Sequence, residues 1–287
     1  TDINPNAKDK IGGILFHQMD VLDVDHLESV VKENQVSEIY LLAALLSAVS
    51  EQKIRSAWDL NMNGLFNVLE LARSGTIERV FWPSSIAVFG PSSPKKNTPQ
   101  NAILEPTTVY GISKCAGERW CDYYFKKFGV DVRSIRYPGI ISYKSKPGGG
   151  TTDYAVEIFH EALANSKYTC FIDKDIYLPM MYMDDAIRAT IELMQVEKGV
   201  FTAFKSYNVS AESFSPSEIA KEILQFIPDF EITYAPDFRN DIALSWPSSI
   251  NDDEARHDWG WHEQYDIKKM TEKMISGINS NVNVISS

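Results

Sequence analysis

Tyr110 and Lys114 stand four residues apart in a stretch with helical patterning, so both side chains project from one helix face. A phenol ordinarily titrates at about 10. A neighbouring ammonium, joined by a cationic redox ring, favours the phenolate and lowers that value. Such a phenolate can take the proton of an alcohol while hydride leaves the adjacent carbon. Ser85 offers a hydroxyl to hold the reacting oxygen. The Tyr-x-x-x-Lys spacing recurs at Tyr123/Lys127 and Tyr265/Lys269, where it reads as the surface of an amphipathic helix. Tyr110 is set apart by what precedes it. An apolar run ends in Ser84-Ser85, at the strand end where open α/β sheets bind ligands, and a polar loop then leads into Tyr110.

These residues need a parallel sheet to bring them together, and the first half of the chain carries that pattern. Short apolar runs alternate with helical stretches, the mark of βαβ units. Residues 14–16 read as a strand. Residues 24–34 read as a helix with Asp23 as N-cap and Leu27, Val30 and Val31 on its inner face. The run 38–44 is nearly all apolar, as in a strand covered on both faces. A long helix is expected at about 51–74, closed by Gly75, then a strand at 79–84, a loop rich in Pro, Ser and Asn at 90–106, a helix at 109–128 and a strand at 131–137. Beyond Pro138 the rhythm loosens. Residues 144–152 are polar and flexible, and helices are expected at 154–165, 184–195, 215–227 and 266–278. Ser215, Pro216 and Glu218 form a capping box with a first-turn proline. The expected fold is α/β, a doubly wound Rossmann-like parallel sheet with a smaller α+β substrate lobe. Residues 1–140, with a return segment at 173–210, make the dinucleotide-binding part; 141–172 and 211–287 make the lobe.

Doubly wound dinucleotide folds open with a strand and a glycine-rich turn that cradles pyrophosphate on a helix N-terminus. Neither Gly12-Gly13 nor Gly148-Gly149-Gly150 has that context. The sequence starts instead at Thr1-Asp2-Ile3, which reads as the end of a second strand, so the first β-α unit is expected to lie outside these 287 residues.

The bulk composition narrows the function. Hydrophobic residues are 44% and charged residues 23%, ordinary for a globular protein, and 14 Phe, 13 Tyr and 6 Trp argue against disorder. A net charge of -11 argues against a nucleic-acid partner. No run is long and apolar enough for a membrane span and no secretory leader opens the sequence, which points to the cytoplasm. Cys115, Cys121 and Cys170 form no CxxC pair, and the five histidines show no ligand spacing, so no metal is expected.

Read as segments, residues 83–90 (PSSIAVFG) and 106–114 (PTTVYGISK) resemble the extended short-chain dehydrogenases/reductases, the group that includes UDP-galactose 4-epimerase. Further segments extend the resemblance in the right order: Leu41-Leu42-Ala43-Ala44, Asn61-Met62-Asn63-Gly64, Arg136-Tyr137-Pro138-Gly139 and Tyr182-Met183-Asp184-Asp185-Ala186. Within the group, residues 43–47 (AALLS), 147–154 (PGGGTTDY), Ser245-Trp246-Pro247 and 258–261 (DWGW) look like the NAD-dependent L-threonine 3-dehydrogenase branch. The resemblance implies NAD as cofactor, an amino acid as the small-molecule substrate, and oxidation of its β-hydroxyl to give 2-amino-3-ketobutyrate. It makes Tyr110 the base, Lys114 its tuner and ribose anchor, and Ser85 the hydroxyl partner. Leu42, Ala43 and Ala44 would flank the cofactor, Asn61 would support the active site, and Tyr137 and Pro138 would face the nicotinamide. Ser47, Ser84, Thr151 and Thr152, with Tyr110, would hold the amino acid, and Trp246 would close the pocket. Asp2, with Ile3 beside it, sits where an acidic side chain accepts from the adenosine ribose hydroxyls and repels a 2′-phosphate; Asp20 and Val21 would lie by the adenine. The family pairs its helices at 51–74 and 109–128, which here carry apolar residues beyond one stripe, so a homodimer is expected.

Three rival readings share these residues. A sugar-nucleotide 4-epimerase needs basic groups for a diphosphate, and the segment 141–172 offers Lys144, Lys146 and Lys167 but no arginine. A dehydratase of this family carries an acidic pair after the serine, where Ile86 and Ala87 stand here. A non-catalytic NAD-binding regulator would have no need of a tunable phenol.

Overall fold

The computed structural model describes residues 1–285. Its centre is a four-stranded, wholly parallel sheet in the order β1-β2-β3-β7, formed by β1 (Glu38–Tyr40), β2 (Arg79–Ser85), β3 (Asp131–Tyr137) and β7 (Ser206–Asn208). β2 and β3 pair along their whole lengths, from Arg79 opposite Asp131 to Ser85 opposite Tyr137. Helices α1 (Val24–Glu33), α4 (Gly64–Arg73) and α5 (Val109–Phe128) bury Leu27, Val31, Leu65, Val68, Leu69 and Cys121 against one side. On the other side α7 (Met183–Gln195) contributes Ala186, Ala189 and Leu193 to a core with Phe81, Ile135 and Trp261. A three-stranded sheet, β4 (Gly139–Ile141), β6 (Leu178–Tyr182) and β8 (Glu212–Phe214), and a parallel pair, β5 (Lys167–Cys170) with β9 (Glu231–Tyr234), carry the later half. They pack with α6 (Tyr154–Asn165), α8 (Pro216–Leu224), α9 (Phe238–Ser245) and α11 (Ile267–Ile285) around Phe159, Ile172, Phe214 and Met274. The doubly wound α/β class read from the sequence is the one observed.

Local signals explain most boundaries. Asp23 caps α1 by accepting from the His26 N–H at 3.1 Å. Ser215 and Glu218 complete the expected capping box on α8. Gly129 ends α5 in a left-handed conformation, φ 69°, that suits a residue without Cβ.

Three expectations change. Residues 14–16 form no strand: Ile14 and Leu15 are exposed, behind two left-handed glycines, and the pairing there is a single parallel bridge between Asp2 and Gln18. An apolar triplet alone cannot make a strand without a neighbouring strand to pair with. The run 38–44 is a strand only to Tyr40, and its remainder is the loop that borders the site. The helix at 51–74 is broken: α2 (Ser47–Gln52) and α3 (Ile54–Trp58) meet at a non-helical Lys53, and a π turn over Asp59–Asn63 precedes α4. Helix α10 (Asp253–Trp259) and α9 had no clear periodic signal.

The approach of α5 to β2 is unusually close. A Cβ on Gly117 would overlap the Trp82 ring, and one on Gly111 would overlap the Ala87 carbonyl. Alanine is intrinsically better in a helix by about 1 kcal/mol. Gly117→Ala is nevertheless expected to destabilise the protein by about 1–3 kcal/mol, the usual range for overpacking. Thermal or urea unfolding measures it, and a stabilised variant would show that the contact is slack.

Candidate active site

The carboxyl ends of β1, β2 and β3 open on a cleft of about 570 Å³. Ser85, Tyr110 and Lys114 line it together. Ser85 arrives at the end of β2; its hydroxyl accepts from the Ala87 N–H at 3.2 Å and starts a short 3-10 turn. Thr108 caps α5, accepting from Gly111 at 3.0 Å, and so places Tyr110 in the helix's first turn. Lys114, one turn on, is buried; its ammonium donates to the Pro83 carbonyl at 2.6 Å and lies 4.6 Å from the Trp82 ring centroid and 5.5 Å from that of Tyr110.

Burial dominates the electrostatics. It lowers the Lys114 ammonium to about 7, against the opposing pull of Cys121 and Glu118. It pushes the Tyr110 phenol up to about 12, with hydrogen bonding to Ser85 acting the other way. Lys114 by itself therefore does not lower the phenol; the expected lowering is that of the ammonium acting together with a cationic redox ring. The ammonium is itself desolvated and spent partly on Pro83, so its charge does not offset what the phenolate loses by leaving water.

Leu42, Ala44, Ser47, Ser84, Tyr137, Pro138, Thr151, Thr152 and Trp246 also border the cleft. Ser47 and Thr151 present hydroxyls 3.4 Å apart, and the Thr151 N–H donates to Ser47 Oγ at 3.4 Å. Asp153 shapes that loop by accepting from the Gly149 and Gly150 N–H groups, both at 2.8 Å. A Cβ on Gly139 would press on Thr152, so β4 sits directly beneath it. The Ser84 hydroxyl turns away and donates to Glu118 Oε1 at 2.6 Å.

Six predicted residues lie outside the cleft lining. Asn61, placed by the π turn, accepts from the Leu45 N–H at 2.9 Å and donates to Ser113 Oγ at 3.2 Å, fixing the loop after β1 to α5. Ala43 is exposed on that loop. Asp2 and Ile3 are exposed, with Asp2 Oδ1 accepting from Asn4 at 2.8 Å. Asp20 accepts from the Leu22 N–H at 2.9 Å, and Val21 is a core residue under α4 whose carbonyl accepts from Asn67 at 2.8 Å.

Reasoning from motifs missed the polar network behind the site. Glu118 receives Arg136 through Nε at 2.8 Å and Nη2 at 2.7 Å, a fork-to-fork pair that is almost wholly buried. Arg136 also donates to the Gln100 carbonyl at 2.8 Å and to Asn208 Oδ1 at 3.2 Å. The signal was available: Glu118 lies one turn beyond Lys114 on the inner face of α5, and Arg136 is a charge inside a strand covered on both sides.

The residues present suit a dinucleotide's nicotinamide half. A buried ammonium with one protein acceptor retains donors for ribose hydroxyls, and apolar walls from Leu42, Pro83, Tyr137 and Ile187 suit a flat ring. Among the described residues no group of three His, Cys, Asp or Glu side chains is placed to hold a metal ion, and no helix is long and apolar enough to cross a membrane.

Residues 2–209 match the NAD dependent epimerase/dehydratase family. An uncharacterised epimerase/dehydratase of Staphylococcus haemolyticus is 47% identical over 280 residues, covering 97% of this chain and 88% of the relative. Among solved structures, a GalE-like L-threonine dehydrogenase from Cupriavidus necator in its holo form is 54% identical, with a TM-score of 0.89, covering 91% of this chain and 85% of that one. L-threonine dehydrogenase from Phytophthora infestans is 46% identical, with a TM-score of 0.93, covering 98% and 89%.

Lys114→Met tests the burial argument by the pH dependence of stability. Below about pH 7 the lysine is charged in both folded and unfolded chains, and the cost of burying that charge is felt in full. As pH rises from there toward the unfolded lysine's value, only the unfolded chain keeps the proton, and that cost is relieved. Urea midpoints should therefore show the variant gaining on the wild type at pH 6 and that advantage shrinking steadily as pH rises through 9 toward the unfolded lysine's value. A difference independent of pH would mean that the lysine is solvated.

Proposed function

This chain belongs to the NAD-dependent epimerase/dehydratase family, and on that premise we propose that it is an NAD-dependent L-threonine 3-dehydrogenase, oxidising the C3 hydroxyl to give 2-amino-3-ketobutyrate. One observation carries the choice of substrate. Opposite the Ser85, Tyr110 and Lys114 trio the cleft offers hydroxyls and backbone groups from Ser47, Thr151 and Thr152, and among the residues lining it Lys114 is the only cation. A zwitterionic amino acid can be held by neutral donors and acceptors. A sugar diphosphate carries two negative charges that call for arginine or lysine, which weighs against the epimerase reading.

In this reading Ser85 donates to the substrate oxygen and orients its proton toward Tyr110. The phenolate of Tyr110 takes that proton as the C3–H bond gives up hydride, and Lys114 stabilises the phenolate and binds ribose hydroxyls. Bound NAD supplies the hydride acceptor and a nearby positive charge. Leu42, Ala43 and Ala44 flank it, Asn61 holds their loop in place, and Tyr137 and Pro138 face its nicotinamide. Asp2, Ile3, Asp20 and Val21 are assigned to its adenosine half. Residues 1–140 with 173–210 bind the cofactor; 141–172 and the chain from 211 onward take the substrate. Three free cysteines suit a reducing, cytoplasmic setting.

A second copy of the chain is the proposed partner. Trp120, Tyr123 and Phe128 on α5 form an exposed edge-to-face aromatic ladder, with Phe66 of α4 4.9 Å from Trp120. Burying such a stripe against its copy stabilises a dimer.

L-threonine with NAD⁺ should generate NADH absorbance at a rate that climbs into alkaline pH, because Tyr110 must ionise from a raised value. Tyr110→Phe should lower kcat by at least about 100-fold, the usual scale for a lost general base, while leaving the melting temperature close to that of the wild type. Turnover of UDP-sugars by a protein inert toward L-threonine would overturn the substrate choice. Light scattering should give twice the chain mass, and Trp120→Glu the monomer; a monomeric wild type removes the dimer.

A further inference from the structure

Trp246 is buried at the edge of the core of the later half, beside Ala243 and Ile250 in the same cluster, and forms part of the cleft wall just past the end of a two-turn helix. The terminal carbonyls of such a helix lack intrahelical partners and carry the negative end of its dipole. Here one side chain meets them. Lys95 Nζ donates to the carbonyls of Leu244, Ser245 and Trp246 at 3.0, 2.7 and 3.3 Å. Among the described residues no carboxylate pairs with this ammonium.

The contact is the first tooth of a longer zipper. The Lys95 carbonyl accepts from Ser248 N–H at 2.7 Å and from Ser248 Oγ at 2.8 Å. The Asn97 N–H donates to Ser249 Oγ at 2.8 Å, Thr98 N–H to the Ser249 carbonyl at 3.0 Å, and Asn251 N–H to the Thr98 carbonyl at 2.9 Å. Residues 95–98 belong to the loop that leaves β2 just after Ser85. The zipper thus ties that loop, past the 3-10 turn that follows Ser85, to the segment that carries Trp246 into the cleft wall.

We propose that Lys95 is a positioning residue: by capping α9 it holds Trp246 against the substrate end of the cleft and so limits the size of the 3-hydroxy amino acid that fits. The inference rests on the amino-acid reading above. It explains why the cap is a long cation anchored by its own backbone. The stem spans from one segment to the other, and the three carbonyls fix the helix end in direction as well as distance.

The test compares Lys95→Met, which keeps the stem and removes the donors, with Lys95→Arg, which restores them. In the methionine variant KM for L-threonine should rise about three- to tenfold, the range for losing a charge-assisted helix cap, with kcat within about twofold of wild type. Its preference for L-threonine over 3-hydroxynorvaline should fall by a similar factor, and the arginine variant should recover both. Acrylamide quenching of Trp246, taken as the difference between each protein and its Trp246→Phe counterpart, should increase in Lys95→Met. Should that variant not fold, Lys95→Gln takes its place. Unchanged KM and preference, or losses that arginine does not rescue, overturn the proposal. If the wild type does not oxidise L-threonine, the substrate reading falls separately, and quenching that stays the same in Lys95→Met then sinks the latch by itself.

Discussion

The bond from the Lys114 ammonium to the Pro83 carbonyl, 2.6 Å long, is the contact on which the site depends. It joins the helix that carries the phenol to the strand that carries the serine, and it exists only because α5 lies almost in contact with β2. Two glycines, Gly111 and Gly117, remove the side chains that would hold the helix away. The same proximity excludes water. That is why the lysine titrates far below its ordinary range and the phenol above its own. Placement and reactivity follow from one steric fact, and neither could be altered without the other.

A buried ammonium with a carbonyl for its partner is costly, and the surrounding charges show how the fold tolerates it. Glu118 lies a turn beyond and favours the protonated lysine, but Glu118 is neutralised by the fork of Arg136. The lysine therefore feels an attenuated anion rather than a full one. Removing either member of the Glu118–Arg136 pair would leave a bare buried charge, a change that costs about 3–5 kcal/mol in comparable pairs. Ser84 spends its hydroxyl on the same carboxylate, so the network also fixes the backbone immediately before Ser85. Charge balance and strand registry are thus served by the same five or so side chains.

How much of this the sequence revealed depended on whether the signal was local. The capping box at Ser215 and Glu218, the N-cap at Asp23 and the apolar runs of β2 and β3 need only near neighbours, and each appeared where expected. The trio of Ser85, Tyr110 and Lys114 was legible because a strand end and a helix start bracket it within a short span. The break at Lys53 and the π turn at Asp59–Asn63 were not. Neither stretch holds a proline or glycine to mark a break, and at the π turn Asn61 is drawn to the Leu45 backbone and Ser113, a tertiary demand. Ser84 looked like a ligand group from its position beside Ser85. Alternation along a strand sends it to the other side, where Glu118 waits. Residues 14–16 failed for the opposite reason, an apolar triplet whose conformation depends on a pairing partner that the local sequence does not encode.

Charge in this cleft is largely spoken for: its one lysine donates to the sheet, and its one carboxylate, Asp153, accepts from the Gly149 and Gly150 N–H groups. Selectivity must then come mainly from shape and from neutral hydrogen bonding. Shape is set by elements far apart in sequence: Thr152 seated close over Gly139, where a Cβ would clash, Ser47 at the start of α2, and Trp246 just past the end of α9. Each is fastened by contacts to another segment, Thr151 to Ser47 and the Trp246 stretch to the loop after β2. A substrate small enough to meet all of them at once gains from every fastening. A larger one must break at least one, and that difference is discrimination.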